Sequence, residues 1–154
     1  MYMCRTIFIA MLGLLLAGQA MANDSRFDRA QELAGAEATM EAQDYRQATR
    51  HYLRLLTIEP DNADWQASLA KAYYKQGKTQ QAEDYAQQAL KNDAGSLQAL
   101  LVLGQLRAKQ QNWQQAHDYY ELAVKKNPDS DRARTRLAIA EGQLGIREDA
   151  EPAP

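Results

Sequence analysis

The chain repeats itself every 34 residues. Sliding the sequence along itself by this distance brings small and apolar residues into columns without any insertion or deletion. The columns are Ala48, Ala82 and Ala116; Leu69, Leu103 and Leu137; Ala36, Ala70, Gly104 and Ala138; and Tyr52, Ala86 and Tyr120. A fixed period of this length indicates stacked units, none of which buries its apolar face without a neighbour. The repeat therefore predicts a solenoid.

Each unit contains two runs of apolar residues at helical spacing. Gly77 separates the two runs of the middle unit and suits the left-handed residue that ends a helix. The composition agrees, because 8 Gly and 4 Pro in 154 residues are few for the turns of a β-sandwich or barrel. We therefore expect an all-α protein with helices at about 26–42, 45–58, 63–76, 79–91, 97–110, 113–126 and 131–145.

Four polar residues stand immediately before predicted helices, where a side chain accepts a hydrogen bond from an unpaired N–H of the first turn. They are Asp44, Ser96, Asn112 and Ser130. The last helix is expected to close the stack with a polar outer surface that includes Arg132, Arg134, Arg136 and Glu141. Residues 146–154 are acidic and contain proline, so we expect a disordered tail there.

The 34-residue pattern resembles that of the tetratricopeptide repeat family, whose helix–turn–helix unit has small and large apolar residues in these columns. The block 63–96 resembles it most, through Leu69, Ala70, Tyr73, Gly77, Ala82, Ala89 and Leu90. The resemblance implies a right-handed solenoid of helical hairpins over 23–145, with repeats at about 29–62, 63–96 and 97–130 and a closing helix at 131–145. The chain departs from the pattern where the family usually has Leu, Pro and two turn glycines, at Gly35, Ala94, Gln43 and Gln111.

The first 22 residues have the three-part plan of a secretory signal peptide. Arg5 is followed by an apolar run over 7–17 and then by small residues up to Ala22, after which we expect cleavage. An uncleaved membrane anchor is the alternative, but a helix of eleven residues spans only about half of a hydrocarbon core of about 30 Å. Cleavage would remove Cys4, the only cysteine, and leave no possible disulfide. These features favour export to the bacterial periplasm.

Composition and motifs argue against several classes of function. A net charge of −2 provides no basic field for nucleic acid. His51 and His117 have no second histidine at helical spacing and no evident charge partner, which argues against a metal site. The sequence has no GxSxG motif, no glycine-rich phosphate loop and no specified carboxylate pair. We therefore expect no enzymatic activity, no cofactor and no small-molecule substrate.

In proteins that resemble this chain, the first helices of the hairpins line a concave groove where peptides bind. The family's groove columns, extended into the closing helix, correspond here to Leu33, Glu37, Met40, Ala67, Lys71, Tyr74, Lys75, Leu101, Gln105, Lys109, Arg132 and Arg136. Acidic members lie toward the first repeat and basic members toward the last, so a polarised groove with an apolar floor is expected.

The family's chaperone-tail adaptors hold a terminal carboxylate with Lys, Arg and Asn at particular columns. Those columns contain Leu33, Glu37, Ser68, Gln98 and Val102 in this chain. None of these residues matches, so the sequence argues against carboxylate-clamp recognition of cytosolic heat-shock chaperones.

These features predict a non-catalytic protein–protein interaction module, an adaptor or assembly factor of the bacterial cell envelope. Tyr74 is a candidate anchor for an amphipathic helix or an extended apolar segment, although ordinary groove surface explains it equally well. Trp65 and Trp113 stand at helix starts, where packing between units is the simpler explanation. The alternative function is a self-associating scaffold subunit that uses exposed aromatics such as Tyr85 and Tyr119. The sequence identifies neither the partner nor the pathway.

Overall fold

The computed structural model describes residues 28–146. The predicted signal peptide lies outside the described residues, as does the predicted acidic tail apart from Ile146. The described residues form helices and short connections without a β-strand, and none of these helices is long and apolar enough to cross a membrane. The helices are α1 at 28–41, α2 at Tyr45–Ile58, α3 at Ala63–Lys75, α4 at Thr79–Asn92, α5 at Leu97–Lys109, α6 at Trp113–Lys126 and α7 at Asp131–Leu144.

The bounds of α2 to α7 agree with the predicted bounds to within one residue. Three of the predicted N-caps are confirmed, because the side chains of Asp44, Asn112 and Ser130 each accept a hydrogen bond from the backbone N–H three residues later. The prediction for Ser96 is wrong, since its side chain makes no cap hydrogen bond. Asn62, which the sequence analysis missed, caps α3 by accepting from the Trp65 N–H at 3.1 Å.

The helices of each hairpin are joined by a turn with a left-handed residue. Gly77 takes this conformation with φ 76°, and Gln43 and Gln111 take it with φ 60°. In all three turns the N–H of the next residue donates to the carbonyl five positions earlier, as Lys78 does to Tyr73. The two glutamines therefore make the same turn as the glycine, at a cost of about 1–2 kcal/mol each.

The core is built from the small residues of the repeat columns. Ala36 and Ala70 on first helices, and Ala48, Ala82 and Ala116 on second helices, are fully buried. Consecutive helices pack against each other from α2 to α7, and the first helices α3 and α5 also pack side by side. Alanine at these crossings lets the helix backbones approach closely. This close approach produces the predicted all-α solenoid of helical hairpins.

Two glycines mark the closest approaches between the helices of a hairpin. A Cβ atom at Gly104 would lie 2.3 Å from Cε1 of Tyr120, and one at Gly35 would lie 2.9 Å from Cε1 of His51. The imidazole of His51 thus fills the space beside Gly35.

The closing helix α7 is less polar outside than predicted. Ala133 and Ala140 are buried against the stack, but Ile139 is 47% exposed. Ala138 is also exposed, whereas Ala36, Ala70 and Gly104 of the same column are buried. The difference arises because, in the described residues, no second helix follows to cover this face of α7.

The contact between Gly104 and Tyr120 generates a prediction for stability. Gly104→Ala should lower the free energy of unfolding by about 1–3 kcal/mol, because the new methyl group overlaps the buried tyrosine ring. Gly142→Ala is the matched control, since a Cβ on that helical glycine meets nothing within 4 Å. It should raise stability by up to about 1 kcal/mol through helix propensity. Urea denaturation followed by circular dichroism measures both, and equal stability of the two variants would contradict this packing.

Candidate functional site

The first helices of the last two hairpins and the closing helix form a cleft. α3 packs against α5, and α5 packs against α7. Residues from these three helices enclose a volume of about 340 Å³. We call this space the groove cleft, and it is lined by Lys71, Tyr74, Lys75, Gln98, Leu101, Gln105, Arg132 and Arg136.

All of these lining residues except Gln98 were predicted for the groove. From the sequence, Gln98 was considered only because it stands at a column where the family's carboxylate-binding residue is missing. In the structure its Oε1 accepts a hydrogen bond of 3.4 Å from Nη2 of Arg132, the residue one repeat later in the same column. The 34-residue register could therefore have identified Gln98, because Arg132 was already a groove candidate.

Five predicted groove residues lie outside the groove cleft. Leu33 and Met40 are partly buried and pack against the core of the first hairpins. Ala67 is 1% exposed, so it cannot offer a partner the contact that was predicted. Glu37 on α1 and Lys109 at the end of α5 are exposed. The structure thus places the enclosed part of the groove at α3, α5 and α7.

The groove cleft is strongly positive. Its lining contains the four cations Lys71, Lys75, Arg132 and Arg136 and no carboxylate. Within residues 28–146 none of the four forms an ion pair, whereas several other arginines of the chain do. Burial lowers the pKa of Lys71, and the nearby charges of Arg132 and Lys75 lower it further. The cleft therefore concentrates positive charge that an acidic ligand would neutralise.

Tyr74 is the aromatic residue of the cleft lining, and the buried Tyr120 lies nearby. Tyr74 is half-buried in the cleft wall, where part of its ring remains accessible. Burial raises the pKa of Tyr120 to about 12, and Arg136 and Tyr74 lie close enough to influence it electrostatically. Leu101 is only 1% exposed, so the apolar contact predicted for it is minor. Tyr74 is consequently the main accessible apolar group of the cleft.

The opposite end of the groove is acidic. Glu37 and Glu41 on α1 are both exposed. Burial raises the pKa of Tyr52, a hydrogen bond with Ser68 opposes that shift, and the charge of Glu37 adds to it. Glu37 therefore lies close enough to Tyr52 of α2 to influence it electrostatically. The groove has opposite charges at its two ends.

The two histidines are not isolated, as the sequence analysis assumed. His51 Nδ1 lies 2.6 Å from Glu32 Oε2, and Arg54 donates to the other oxygen of Glu32 at 2.9 Å. The hydrogen bond from His51 lowers the pKa of Glu32 despite some desolvation, and Arg54 lowers it further. His117 lies 3.9 Å from Glu141. In the described part of the chain, no three His, Cys, Asp or Glu residues are grouped to hold a metal ion.

The two tyrosines proposed for self-association are partly buried. The ring of Tyr85 stacks on the ring of Tyr73, with 5.7 Å between the centroids and 22° between the planes. Tyr119 is partly buried against both core clusters. Both side chains therefore stabilise the stack. The structure agrees with the packing roles predicted for the two tryptophans, because Trp65 is buried and Trp113 packs against the core.

The comparisons with known proteins agree with this architecture. Residues 39–106 and 74–139 match the tetratricopeptide repeat family model, and together they cover more than half of the chain. The chain belongs to the tetratricopeptide repeat family. No curated protein sequence matches it.

Solved structures of the same architecture resemble the chain at low sequence identity. The Arabidopsis OM64 domain is 18% identical, with a TM-score of 0.68 over 74% of this chain and 94% of that one. The Sgt2 domain from Aspergillus fumigatus is 22% identical, with a TM-score of 0.68 over 82% and 88%. The second such domain of human RPAP3, in complex with the HSP70 peptide SGPTIEEVD, is 23% identical, with a TM-score of 0.66 over 75% and 97%. These similarities show the fold.

The charge cluster generates a prediction for the ionisation of Lys71. Arg132→Gln should raise the pKa of Lys71, because it removes a nearby positive charge and leaves the burial of the amine unchanged. The titration of the ¹³C-dimethylated lysine, followed by NMR between roughly pH 8 and 11, measures this value. Arg134→Gln is the control, since Arg134 pairs with Asp131 on the same helix and lies outside the cleft lining. An equal rise in both variants would show that net charge, not the cleft, sets this pKa.

Proposed function

We propose that the chain is a non-catalytic protein-interaction module that binds a segment of a partner protein in its concave groove. The observation that carries this proposal is the groove cleft, where four cations without a carboxylate surround a half-buried tyrosine. Unneutralised charge at close quarters is unfavourable, and a ligand that supplies carboxylates relieves it. An aromatic side chain beside such charges is a common anchor for a partner.

The charge distribution indicates the direction of the bound segment. Carboxylates of the partner are favoured near Arg132 and Arg136, and they are disfavoured near Glu37 at the other end. An apolar side chain between the two ends would pack on Tyr74. The partner segment thus has an acidic end directed toward α7 and an apolar residue before it.

Structural neighbours support peptide binding in a groove of this shape. The RPAP3 domain is in complex with a peptide that contains two glutamates and an aspartate, SGPTIEEVD. This chain lacks the family's carboxylate-recognition residues at their usual columns, and three of its four cleft cations, Lys71, Arg132 and Arg136, stand one repeat after such a column. We therefore expect an acidic partner segment other than the chaperone tail.

The place of action that we propose is the bacterial cell envelope, where the module acts as an adaptor or assembly factor. The supporting observation is the N-terminal sequence, with one arginine, an apolar run and small residues before Asn23. The chain after residue 22 has no cysteine, so it forms no disulfide in an oxidising compartment.

Export generates a prediction for the processed chain. Protein released from cells by osmotic shock should have a mass that corresponds to a start at Asn23, because a peptidase would cut after Ala22. Ala20→Leu with Ala22→Leu should block processing by replacing the small residues at the cleavage point. A soluble cytosolic fraction that holds the full-length chain would contradict export, and a full-length chain in the membrane fraction would favour the uncleaved anchor.

The groove generates a prediction for binding. A photo-reactive amino acid in place of Tyr74 should crosslink one dominant envelope protein in cells, and mass spectrometry identifies the crosslinked segment. Lys71→Ala with Tyr74→Ala should then weaken binding of that segment by about tenfold or more, because an anchor and a charge are lost. The matched control is Lys125→Ala with Tyr45→Ala, a lysine and a tyrosine outside the cleft.

Two results would count against groove binding, and a third would change the direction of the bound segment. Equal affinities of the groove variant and the control would place the binding site elsewhere. Capture of the chain by itself would favour the self-associating scaffold. An acidic residue of the segment crosslinked beside Glu37 instead of Arg136 would reverse the proposed direction.

A further inference from the structure

A second cleft lies on the other side of α3, where α2 meets the turn between α3 and α4. Its volume of about 530 Å³ is larger than that of the groove cleft. We call it the turn-side cleft, and it is lined by Arg46, Thr49, Arg50, Leu53, Tyr73, Gln76 and Lys78. Tyr73 and Tyr74 are consecutive on α3 and line different clefts, so the two spaces are separated by the helix itself.

The polar groups in the floor of the turn-side cleft are already bonded. Gln76 Nε2 donates to the Tyr45 carbonyl at 2.8 Å and to the Thr49 hydroxyl at 2.7 Å. The Thr49 hydroxyl in turn donates to the Tyr45 carbonyl at 2.7 Å. Hydrogen-bond donors for a ligand therefore come from the cations at the rim.

Three cations surround this cleft, and its lining contains no carboxylate. Arg46 and Arg50 are one turn apart on α2, and both are exposed. The Lys78 amine lies 5.5 Å from the centre of the Tyr73 ring, a cation–π contact that holds it at the cleft. In the described residues none of these three cations forms an ion pair, although Arg54 of the same helix pairs with Glu32.

The next repeat provides an internal comparison for the turn-side cleft. At a distance of 34 residues, Thr49 and Tyr73 correspond to Glu83 and Arg107. Arg107 donates to both carboxylate oxygens of Glu83 and, at 3.1 Å, to Gln110. The position of Arg50 is held by Asp84. The chain itself thus supplies the acidic groups at this junction.

The junction after that also brings a titratable side chain and a carboxylate together. The corresponding pair is His117 and Glu141, which lie 3.9 Å apart. Among these three equivalent junctions, only the first joins two uncharged residues, Thr49 and Tyr73, beneath a rim of cations. Within the described residues, no carboxylate lines this first junction.

We propose that the turn-side cleft is a second docking site, which binds an acidic segment of a protein partner independently of the groove. Carboxylates of that segment pair with the planar guanidinium groups of Arg46 and Arg50, whose geometry suits bidentate binding. A third carboxylate lies against Lys78, and an apolar side chain packs on Leu53, which is 37% exposed.

The shape of the site favours a protein segment over a lipid bilayer. Polybasic lipid-binding surfaces typically contain four to eight cations on a flat or convex face with several large apolar side chains. The turn-side cleft has three cations around a concavity, and Leu53 is its only exposed large apolar residue. Side chains of a peptide enter such a concavity, whereas a planar bilayer contacts only its rim.

NMR titration of the ¹⁵N-labelled protein with a deca-glutamate peptide tests this proposal. In the wild-type protein, amide signals of Leu53, Tyr73 and Gln76 should shift and saturate. In Arg46→Gln with Arg50→Asp, which installs the residues of the next repeat, the dissociation constant from these signals should rise at least about fivefold, since two charge pairs are lost. Lys71→Ala, which removes a groove cation, should leave it unchanged.

Circular dichroism verifies the fold of each variant, and Lys78→Asn tests the same cleft if the double variant unfolds. The proposal is overturned if the Leu53, Tyr73 and Gln76 signals do not shift, or if the double variant binds deca-glutamate as the wild type does. It is also overturned if inorganic phosphate saturates the same signals at the same concentration. The cleft would be assigned to a membrane if the wild-type protein sedimented with phosphatidylglycerol vesicles and the double variant did not, while both proteins bound deca-glutamate equally.

Discussion

The close crossing of helices at small residues is the constraint on which the rest of this structure depends. Ala36, Ala70 and Gly104 occupy one column, and each is buried where a second helix crosses a first helix. A methyl group added at Gly104 would overlap the ring of Tyr120. Because every hairpin has the same tight crossing, successive hairpins pack in the same way, and first helices lie beside first helices. The groove cleft is a consequence of this side-by-side arrangement.

The sequence predicted the parts of the fold that depend on period and local chemistry. Helices α2 to α7 follow from apolar spacing and capping residues, and the buried columns follow from the 34-residue register. Gln43 and Gln111 show why the turn glycine is dispensable, since stack packing and the same backbone hydrogen bond hold them at φ 60°. Tertiary packing thus overrides the local preference at these positions.

Contacts between separate helices were harder to predict. The pairing of His51 with Glu32 joins residues 19 positions apart, and only the hairpin geometry brings them together. The stacking of Tyr85 on Tyr73 likewise turns an expected surface aromatic into a structural one. In the candidate site, the columns predicted Lys71, Tyr74 and the arginines of α7 for the groove, and these side chains line one cleft. They could not show that Ala67 is buried, because burial depends on side chains from neighbouring helices.

Comparison of the repeats also separates residues that maintain the fold, which are the same in each unit, from residues that differ between one junction and the next. Positions such as Ala82 and Ala116 are the same in successive units because each faces the same crossing. Tyr73, Arg107 and Glu141 occupy one column and are all different, since this column lies at the edge of the junction, where the stack tolerates a ring, a cation or an anion. Where the chain supplies both members of a pair, as with Arg107 and Glu83, the charge is internally balanced. Where it supplies cations alone, at the groove cleft and beside Tyr73, the positive charge is not balanced by a lining carboxylate, and this imbalance is the basis of both proposed binding sites.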